Sequence, residues 1–386
     1  MEIILGLLII AIGAFCQSSC YVPINKIKDW SWESYWIIQG VFAWLVLPFL
    51  GALLAVPAGE SLFGLFAGAP SFNLWMTIFF GVLWGVGGLT FGLSMRYLGV
   101  ALGQSIALGT CAGLGTIMGP VLLQIFFPDP FPLVINGVIQ TAADGSTIMT
   151  THIERLTYSV IIGVVVTLLG IAIIGMAGSM KAASLTEEEK KAAVKDFNFP
   201  KGLAIALLAG FMSGCFNVGL EFGKDINFGE LTDPMFRTLP ATFLVTFGGF
   251  ITNAIYCFYQ NQKNNTWDDY LPVFSIAKRS REDQDGWKIT DYRISSYWIS
   301  NIFFCLLAGG LWYSQFFGLS LGKGFLTESP TLTTLAFCIL MALNVVFSNV
   351  WGIILKEWKG CSQKTITVLI VGIIVLVISC FLPQLI

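Results

Sequence analysis

The sequence predicts an all-α polytopic membrane protein with ten transmembrane helices arranged as two inverted five-helix repeats. Three observations support this fold class. Hydrophobic residues make up 55% of the 386 residues and charged residues only 11%, whereas soluble domains carry about 25% charged residues. Ten apolar runs are long enough to cross a bilayer. A motif in the first half of the chain recurs in the second half.

Each apolar run approaches the ~20 residues that a helix needs to cross about 30 Å of hydrocarbon. The runs lie at about residues 3–22, 36–57, 72–95, 98–127, 157–177, 202–222, 239–260, 296–318, 331–355 and 365–384. Charged segments between them are interpreted as solvated connectors. The segment 181–201 divides the chain into a first repeat, 1–180, and a second repeat, 202–386.

The third and eighth predicted helices share the motif. Leu83–Gly99 reads LWGVGGLTFGLSMRYLG and Leu311–Gly324 reads LWYSQFFGLSLGKG, with matching positions 226 to 228 residues apart. Because five helices per half is an odd number, related halves insert with opposite orientations. Inverted repeats place a substrate site near the midplane of the membrane. The architecture therefore predicts a transporter that works by alternating access.

The third predicted helix also carries Gly81, Gly85, Gly88 and Gly92 at helical spacing. Small residues at this spacing let membrane helices approach closely. We expect the four glycines to form one narrow packing face. Static packing and a sliding surface for alternating access both remain open as its role.

The distribution of Lys and Arg predicts the orientation. Loops after odd-numbered helices carry 17 of the 21 basic residues, and loops after even-numbered helices carry four. Basic residues are enriched in cytoplasmic loops. The odd-numbered loops are therefore expected in the cytoplasm, and both termini on the outer side.

Composition also excludes several classes of function. A net charge of -2 offers no basic surface for nucleic acid, and the nine cysteines and single histidine, His152, show no metal-ligand spacing. We therefore expect no metal and no cofactor other than a coupling ion. His152 is expected on the surface of an outer loop. A membrane-embedded enzyme would need a nucleophile, a base or a metal cluster, so an enzyme is disfavoured.

Polar and aromatic side chains inside the predicted spans are candidates for substrate binding. The amides are Gln17, Asn217, Asn253, Gln315 and Asn344, and the aromatic residues are Trp84, Trp312 and Tyr313. A side-chain amide offers donors and an acceptor, enough to bracket a vicinal diol of a neutral sugar. Each of these residues could equally hold helices together.

Glu221 is the one good intramembrane candidate for proton coupling, with Lys224 three residues after it. A desolvated carboxylate favours its protonated form, whereas a nearby cation favours the ionised form. That tension suits a group that binds and releases a proton. An interfacial ion pair at the outer mouth is an equally open interpretation.

Four segments resemble the L-rhamnose–proton symporter family of the drug/metabolite transporter superfamily. They are YVPINKIKDWSWESYW at Tyr21–Trp36, the Leu83–Gly99 motif, GGLWYSQFFG at Gly309–Gly318 and LKEW at Leu355–Trp358. The resemblance runs from the first helix to the last. It implies import of L-rhamnose, or a related deoxy sugar, with a proton across a bacterial inner membrane. In that membrane the charge count, and not the resemblance, predicts that the termini lie in the periplasm.

The resemblance adds Tyr21 to the substrate-binding candidates and gives most weight to Trp84, Trp312, Tyr313 and Gln315. Two positions depart from the family pattern: Gly88 and Glu221 each stand where asparagine is expected. The alternative function is a drug or metabolite exporter of the same superfamily. Loss of an exporter would raise sensitivity to a toxic compound, whereas loss of an importer would block growth on a sugar.

Overall fold

In a computed structural model, the described part of the chain forms ten helices long and apolar enough to cross a membrane. The structure describes residues 2–98, 100–135, 138–184, 199–275, 292–294, 297–354 and 358–382. The ten helices are α1 (Glu2–Ser19), α2 (Trp32–Leu53), α3 (Ser71–Leu98), α4 (Val100–Phe126), α5 (Tyr158–Ala183), α6 (Phe199–Phe222), α7 (Leu239–Asn264), α8 (Trp298–Phe325), α9 (Pro330–Ile354) and α10 (Gln363–Phe381). The prediction of a multi-pass membrane protein with ten spans is confirmed.

Several sequence-based predictions fall outside the described residues. These include most of the 181–201 connector, Gly99, and 355–357 of the LKEW motif.

The long connectors contain small elements that periodicity did not predict. Between α4 and α5, β1 (Phe131–Pro132) pairs antiparallel with β4 (Met149–Thr150), and β2 (Val134–Ile135) pairs antiparallel with β3 (Val138–Ile139). Between α7 and α8, β5 (Val273–Ser275) pairs antiparallel with β6 (Tyr292–Ile294). Short helices cover Tyr21–Ile24 and Leu62–Gly68.

Helix α2 changes geometry at its centre. Trp32–Gly40 and Leu47–Leu53 are α-helical, but Val41–Val46 between them is a π-helix. Pro48 has no N–H to donate four residues back, and its ring would clash with the carbonyl there. The backbone widens instead, and the Leu47 N–H bonds to the Phe42 carbonyl, five residues back.

The helix contacts follow a regular relation between the two halves. Helix α1 packs on α8 and α9, and α6 packs on α3 and α4. Helix α2 packs on α8, and α7 packs on α3; α5 packs on α10, and α4 on α9. The pairs match when each helix of the first half is exchanged with the helix five positions later. For example, the contact of α1 with α8 corresponds to the contact of α6 with α3. The halves therefore interlock through equivalent helices.

Two glycines of α3 make the close approach to α7 possible. A Cβ at Gly85 would lie 2.8 Å from the Gly249 carbonyl oxygen, and a Cβ at Gly81 would overlap the Val245 backbone. Gly88 lies on the same side of α3 by helical spacing, but among the described residues a Cβ there would meet no atom within 4 Å. The predicted four-glycine packing face was therefore wrong at Gly88, because α7 approaches α3 at Gly81 and Gly85 and not at Gly88.

A matched pair of substitutions tests this packing. We expect Gly85→Ala to lower the free energy of unfolding by about 1–3 kcal/mol, because overpacking forces the helices apart. Gly88→Ala should leave it unchanged or raise it by up to about 1 kcal/mol through helix propensity. The measurement is the thermal unfolding midpoint of each purified variant in detergent. Equal shifts for both variants would contradict the packing role of Gly85.

Candidate functional site

Three tryptophans meet in the middle of the bundle: Trp44 of α2, Trp84 of α3 and Trp312 of α8. Their ring centroids lie 6.0 Å (Trp44–Trp84), 6.0 Å (Trp44–Trp312) and 5.6 Å (Trp84–Trp312) apart. Each lies roughly 18–21 Å along its helix from the first residue, at 1.5 Å per residue. We call these residues the tryptophan triad. It draws two rings from the first half of the chain and one from the second.

The triad belongs to a longer column of aromatic rings. On one side, Trp36 lies 5.7 Å from Trp44 and stacks on Trp32 at 5.5 Å, at the start of α2. On the other side, Phe216 and Phe316 stack on each other at 3.8 Å, and each contacts one triad ring at 5.2 Å. The column therefore runs from the start of α2 to the bundle centre.

Glycines fix the positions of two triad rings. A Cβ at Gly40 would lie 2.5 Å from the Trp44 ring, so this ring folds back against its own helix. A Cβ at Gly249 of α7 would overlap the Trp84 ring. Trp44 is buried, whereas Trp84 and Trp312 are half-buried. The latter two rings therefore retain accessible surface that a ligand could cover.

The predicted polar candidates occupy several places around the column. Asn253 accepts a hydrogen bond from the Trp36 indole N–H at 3.0 Å and donates to the Gly249 carbonyl at 2.8 Å. It thus positions an aromatic residue of the column. Asn217 of α6 donates to the Gly115 carbonyl of α4 at 2.7 Å. Both amides are buried, and both join helices.

A second set of polar candidates lies between α1, α8 and α9. Gln315 accepts a hydrogen bond from the Asn344 amide at 3.0 Å, and Ser18 donates to the Asn344 backbone carbonyl at 3.1 Å. Gln17, the neighbour of Ser18, is half-buried. Tyr21 begins the short helix after α1, and its side chain lies outside the described part of the structure.

Tyr313 is buried, and its hydroxyl packs against Gly51 of α2. The structure thus brings Trp84, Trp312 and Tyr313 to the junction of α2, α3 and α8. Sequence reasoning missed Trp44 and Gln39, which lie on α2 at the same junction. One signal was present, because Pro48 four residues after Trp44 marks an irregular turn in a membrane helix.

Glu221 is paired, but Arg155 rather than Lys224 is its direct partner. The Arg155 guanidinium donates to both carboxylate oxygens of Glu221, at 2.7 and 3.4 Å. The Glu221 carboxylate raises the pKa of Arg155. Lys224 and Lys323 also interact electrostatically with Glu221, and the Lys224 ammonium lies 5.4 Å from the centre of the Phe131 ring.

His152 is buried, which corrects the prediction of a surface histidine. Its ring packs on the ring of Phe131, a residue of β1, with centroids 4.6 Å apart. Burial, and then the positive charges of Lys224 and Arg155, lower the pKa of His152 to about 4. The imidazole is therefore neutral at pH 7.

A polar network closes the opposite end of the bundle, between α2 and the end of α7. Glu33 accepts hydrogen bonds from Asn264 and Thr266, each at 2.9 Å. Asp269 accepts from the Ser31 backbone N–H and hydroxyl, at 2.9 and 2.6 Å. This network and the Arg155–Glu221 pair each join the first half of the chain to the second. We call them the Glu33 clasp and the Glu221 clasp.

A cleft of about 280 Å³ opens beside the turn that follows α6. The short helix Leu62–Gly68 and the turn Asp225–Phe228 contribute to its walls. The cleft lies at the surface of the bundle, and no residue of the tryptophan triad lines it.

The chain is similar to known proteins along nearly its whole length. A family model described as L-rhamnose-proton symport protein (RhaT) matches residues 1–385. A protein of Yersinia pestis named L-rhamnose-proton symporter is 29% identical over 382 residues, covering 98% of this chain and 96% of that protein. A protein of Cronobacter sakazakii with the same name is 29% identical over 380 residues, with the same coverage. These are names of transport proteins and not of enzymes.

Proposed function

The chain belongs to the L-rhamnose-proton symport protein family, and from this membership we propose that it imports L-rhamnose, or a related deoxy sugar, together with a proton. The coupling ion is the proton, and no other cofactor takes part. The membrane is the bacterial inner membrane. The relatives' names do not favour the alternative of a drug or metabolite exporter.

The observation that carries this proposal is the tryptophan triad at the bundle centre. Aromatic faces suit the C–H side of a sugar ring, and the triad is built from both halves of the chain. The rings contact each other in the structure, so the sugar replaces ring–ring contacts when the halves separate. The methyl group at C6 of a 6-deoxy sugar suits the neighbouring phenylalanines, Phe216 and Phe316.

The two clasps support alternating access. Each joins the first half of the chain to the second, and they lie at opposite ends of the bundle. Opening one while the other stays closed would expose the triad to one side of the membrane at a time. The exchange relation among the helix contacts supports inverted repeats at 1–180 and 202–386, with the 181–201 connector between them.

The charge count supports the orientation. With both termini in the periplasm, the Glu221 clasp faces the periplasm and the Glu33 clasp faces the cytoplasm. The outer clasp then contains the carboxylate proposed to couple transport to protons. Protonation of Glu221 would remove its negative charge and weaken its attraction to Arg155 and Lys224, so proton binding would favour opening toward the periplasm.

Uptake into right-side-out vesicles tests the transport function. Vesicles that contain the protein should accumulate labelled L-rhamnose when the outside is made acidic, and should lose this accumulation when a protonophore collapses the gradient. Vesicles without the protein are the control. An absence of gradient-dependent uptake of L-rhamnose and of other deoxy sugars would overturn the proposed function.

Glu221→Gln tests the coupling group. The amide keeps the shape of the carboxylate but cannot cycle between charged and neutral forms. We expect exchange of labelled for unlabelled L-rhamnose to persist, whereas accumulation against a gradient is abolished. Lys224→Gln, which removes a cation that attracts Glu221, should retain part of the accumulation, because Glu221 can still bind and release a proton. Uphill uptake by Glu221→Gln would place the coupling group elsewhere.

A further inference from the structure

Among the described residues, three polar atoms at the interface of α2 and α8 are buried without a hydrogen-bond partner. They are Gln39 Oε1, Trp44 Nε1 and the Tyr313 hydroxyl oxygen. The three residues are only 1%, 3% and 6% exposed. Buried polar groups are nearly always hydrogen-bonded, because leaving one unpaired costs its full desolvation penalty. Three such atoms at one interface therefore require an explanation.

The packing of α2 against α8 places the three residues along one seam. The backbone carbonyl oxygen of Gln39 lies 3.0 Å from the position of a Cβ at Gly309 of α8. Tyr313 follows Gly309 by four residues, and so lies on the same face of α8. Its hydroxyl packs against Gly51 of α2. Trp44 packs on the ring of Trp312, the residue before Tyr313.

The backbone of α2 explains how side chains along this seam are held while the three atoms stay unpaired. The π-helical segment Val41–Val46 contains Trp44 and lies between Gln39 and Gly51. Such wide turns are rare, and they occur frequently at functional sites. Gly40 gives room to the Trp44 ring and Gly51 to the Tyr313 hydroxyl. Backbone geometry and glycine positions thus fix side chains whose polar atoms remain available.

The three atoms have the chemistry of a sugar-hydroxyl site. Gln39 Oε1 can only accept a hydrogen bond, Trp44 Nε1 can only donate one, and a tyrosine hydroxyl can do both. None of the three groups is charged at neutral pH, which fits a neutral ligand. A hydroxyl of the ligand both donates and accepts, so a sugar hydroxyl can pair with any one of the three atoms.

We infer that Gln39, Trp44 and Tyr313 bind ring hydroxyls of the transported sugar, on the polar side of the tryptophan triad. This inference rests on the proposed function, because it assigns the hydroxyl-binding part of the same site. Asn217 and Asn344 also carry an unpaired oxygen. Their amide nitrogens, however, already donate to the protein, and neither residue lies on α2 or α8.

Tyr313→Phe and Gln39→Leu remove one polar atom each and keep the approximate shape of the side chain. We expect each to weaken L-rhamnose binding about five- to tenfold, the effect of one hydrogen bond. The sugar-free proteins should unfold at the same temperature as the wild type or higher, since an unpaired buried atom is gone. A purely structural role would lower the unfolding temperature instead. Tyr259→Phe, on the exposed side of α7, is the matched control.

Sugar analogues test which hydroxyl of the ligand pairs with Tyr313. Isothermal titration of the purified protein compares L-rhamnose with derivatives in which one ring hydroxyl is replaced by hydrogen. One derivative should bind equally well to wild type and to Tyr313→Phe, because the hydroxyl that pairs with Tyr313 is already missing. If both variants bound L-rhamnose with the affinity of the wild type, this inference would be overturned and the proposed function would stand. A wild-type protein that binds no L-rhamnose would overturn both.

Discussion

Replacing Trp84 with alanine is expected to weaken L-rhamnose binding by about thirtyfold, corresponding to about 2 kcal/mol for the loss of a buried aromatic anchor. Trp84 contacts Trp44, Trp312 and Phe216, so its removal takes away one wall of the proposed sugar site. Uptake at low sugar concentration should fall in proportion. The measurements are isothermal titration of the purified protein and initial uptake rates in vesicles.

Trp75→Ala is the matched control on the same helix. Trp75 is 65% exposed on the outer surface of α3, where it can anchor the helix at the membrane interface. We expect this variant to bind L-rhamnose like the wild type. Trp84→Phe, which keeps an aromatic face, should lie between wild type and Trp84→Ala. A loss of binding as large in Trp75→Ala as in Trp84→Ala would contradict a specific role for the triad.

Replacing Arg155 with alanine is expected to lower the free energy of unfolding by about 3 kcal/mol. The substitution leaves the buried Glu221 carboxylate without its closest cation, and removing one partner of a buried pair costs about 3–5 kcal/mol. We take the lower end because the Arg155 side chain is 24% exposed. The thermal unfolding midpoint at pH 7 in detergent measures the effect.

Two further variants separate the ion pair from the other charges around it. The double variant Arg155→Ala/Glu221→Gln should be more stable than Arg155→Ala alone, because no unpaired carboxylate remains buried. Lys224→Ala should cost no more than about 1 kcal/mol, the value of an exposed cation–π contact with Phe131. A cost for Lys224→Ala as large as that for Arg155→Ala would show that Lys224 shares the pairing role.

The helices were predictable because the bilayer imposes a simple rule on sequence. Every spanning segment must be apolar and satisfy its own backbone hydrogen bonds, so span number and approximate position follow from hydropathy. The helix ends were less predictable. Helix α3 extends to Leu98, three residues beyond the end of its predicted span. Helix α2 begins at Trp32, four residues before the start of its own predicted span. Polar helix ends outside the hydrocarbon leave no hydropathy signal.

The candidate site was predictable only in part. Trp84 and Trp312 stood out because they combine a shared motif with a position inside a span. Trp44 has no such motif, and its place in the triad depends on the π-helical turn of α2. The predicted partner of Glu221 was Lys224, three positions later. In the structure Glu221 pairs instead with Arg155, 66 positions earlier. Spacing along the sequence points only to partners that are near in the chain, whereas tertiary packing brings distant residues into contact.

The sequence by itself determined the class of protein, its ten spans and, through its motifs, its resemblance to a symporter family. These follow from composition and local order, which the hydrocarbon of the membrane constrains directly. Only the tertiary structure decided which side chains meet: the tryptophan triad, the two clasps and the unpaired polar atoms between α2 and α8. Each joins segments that are distant in the chain. Their meeting depends on where glycines let helices approach and where Pro48 widens a turn, which no single segment encodes alone.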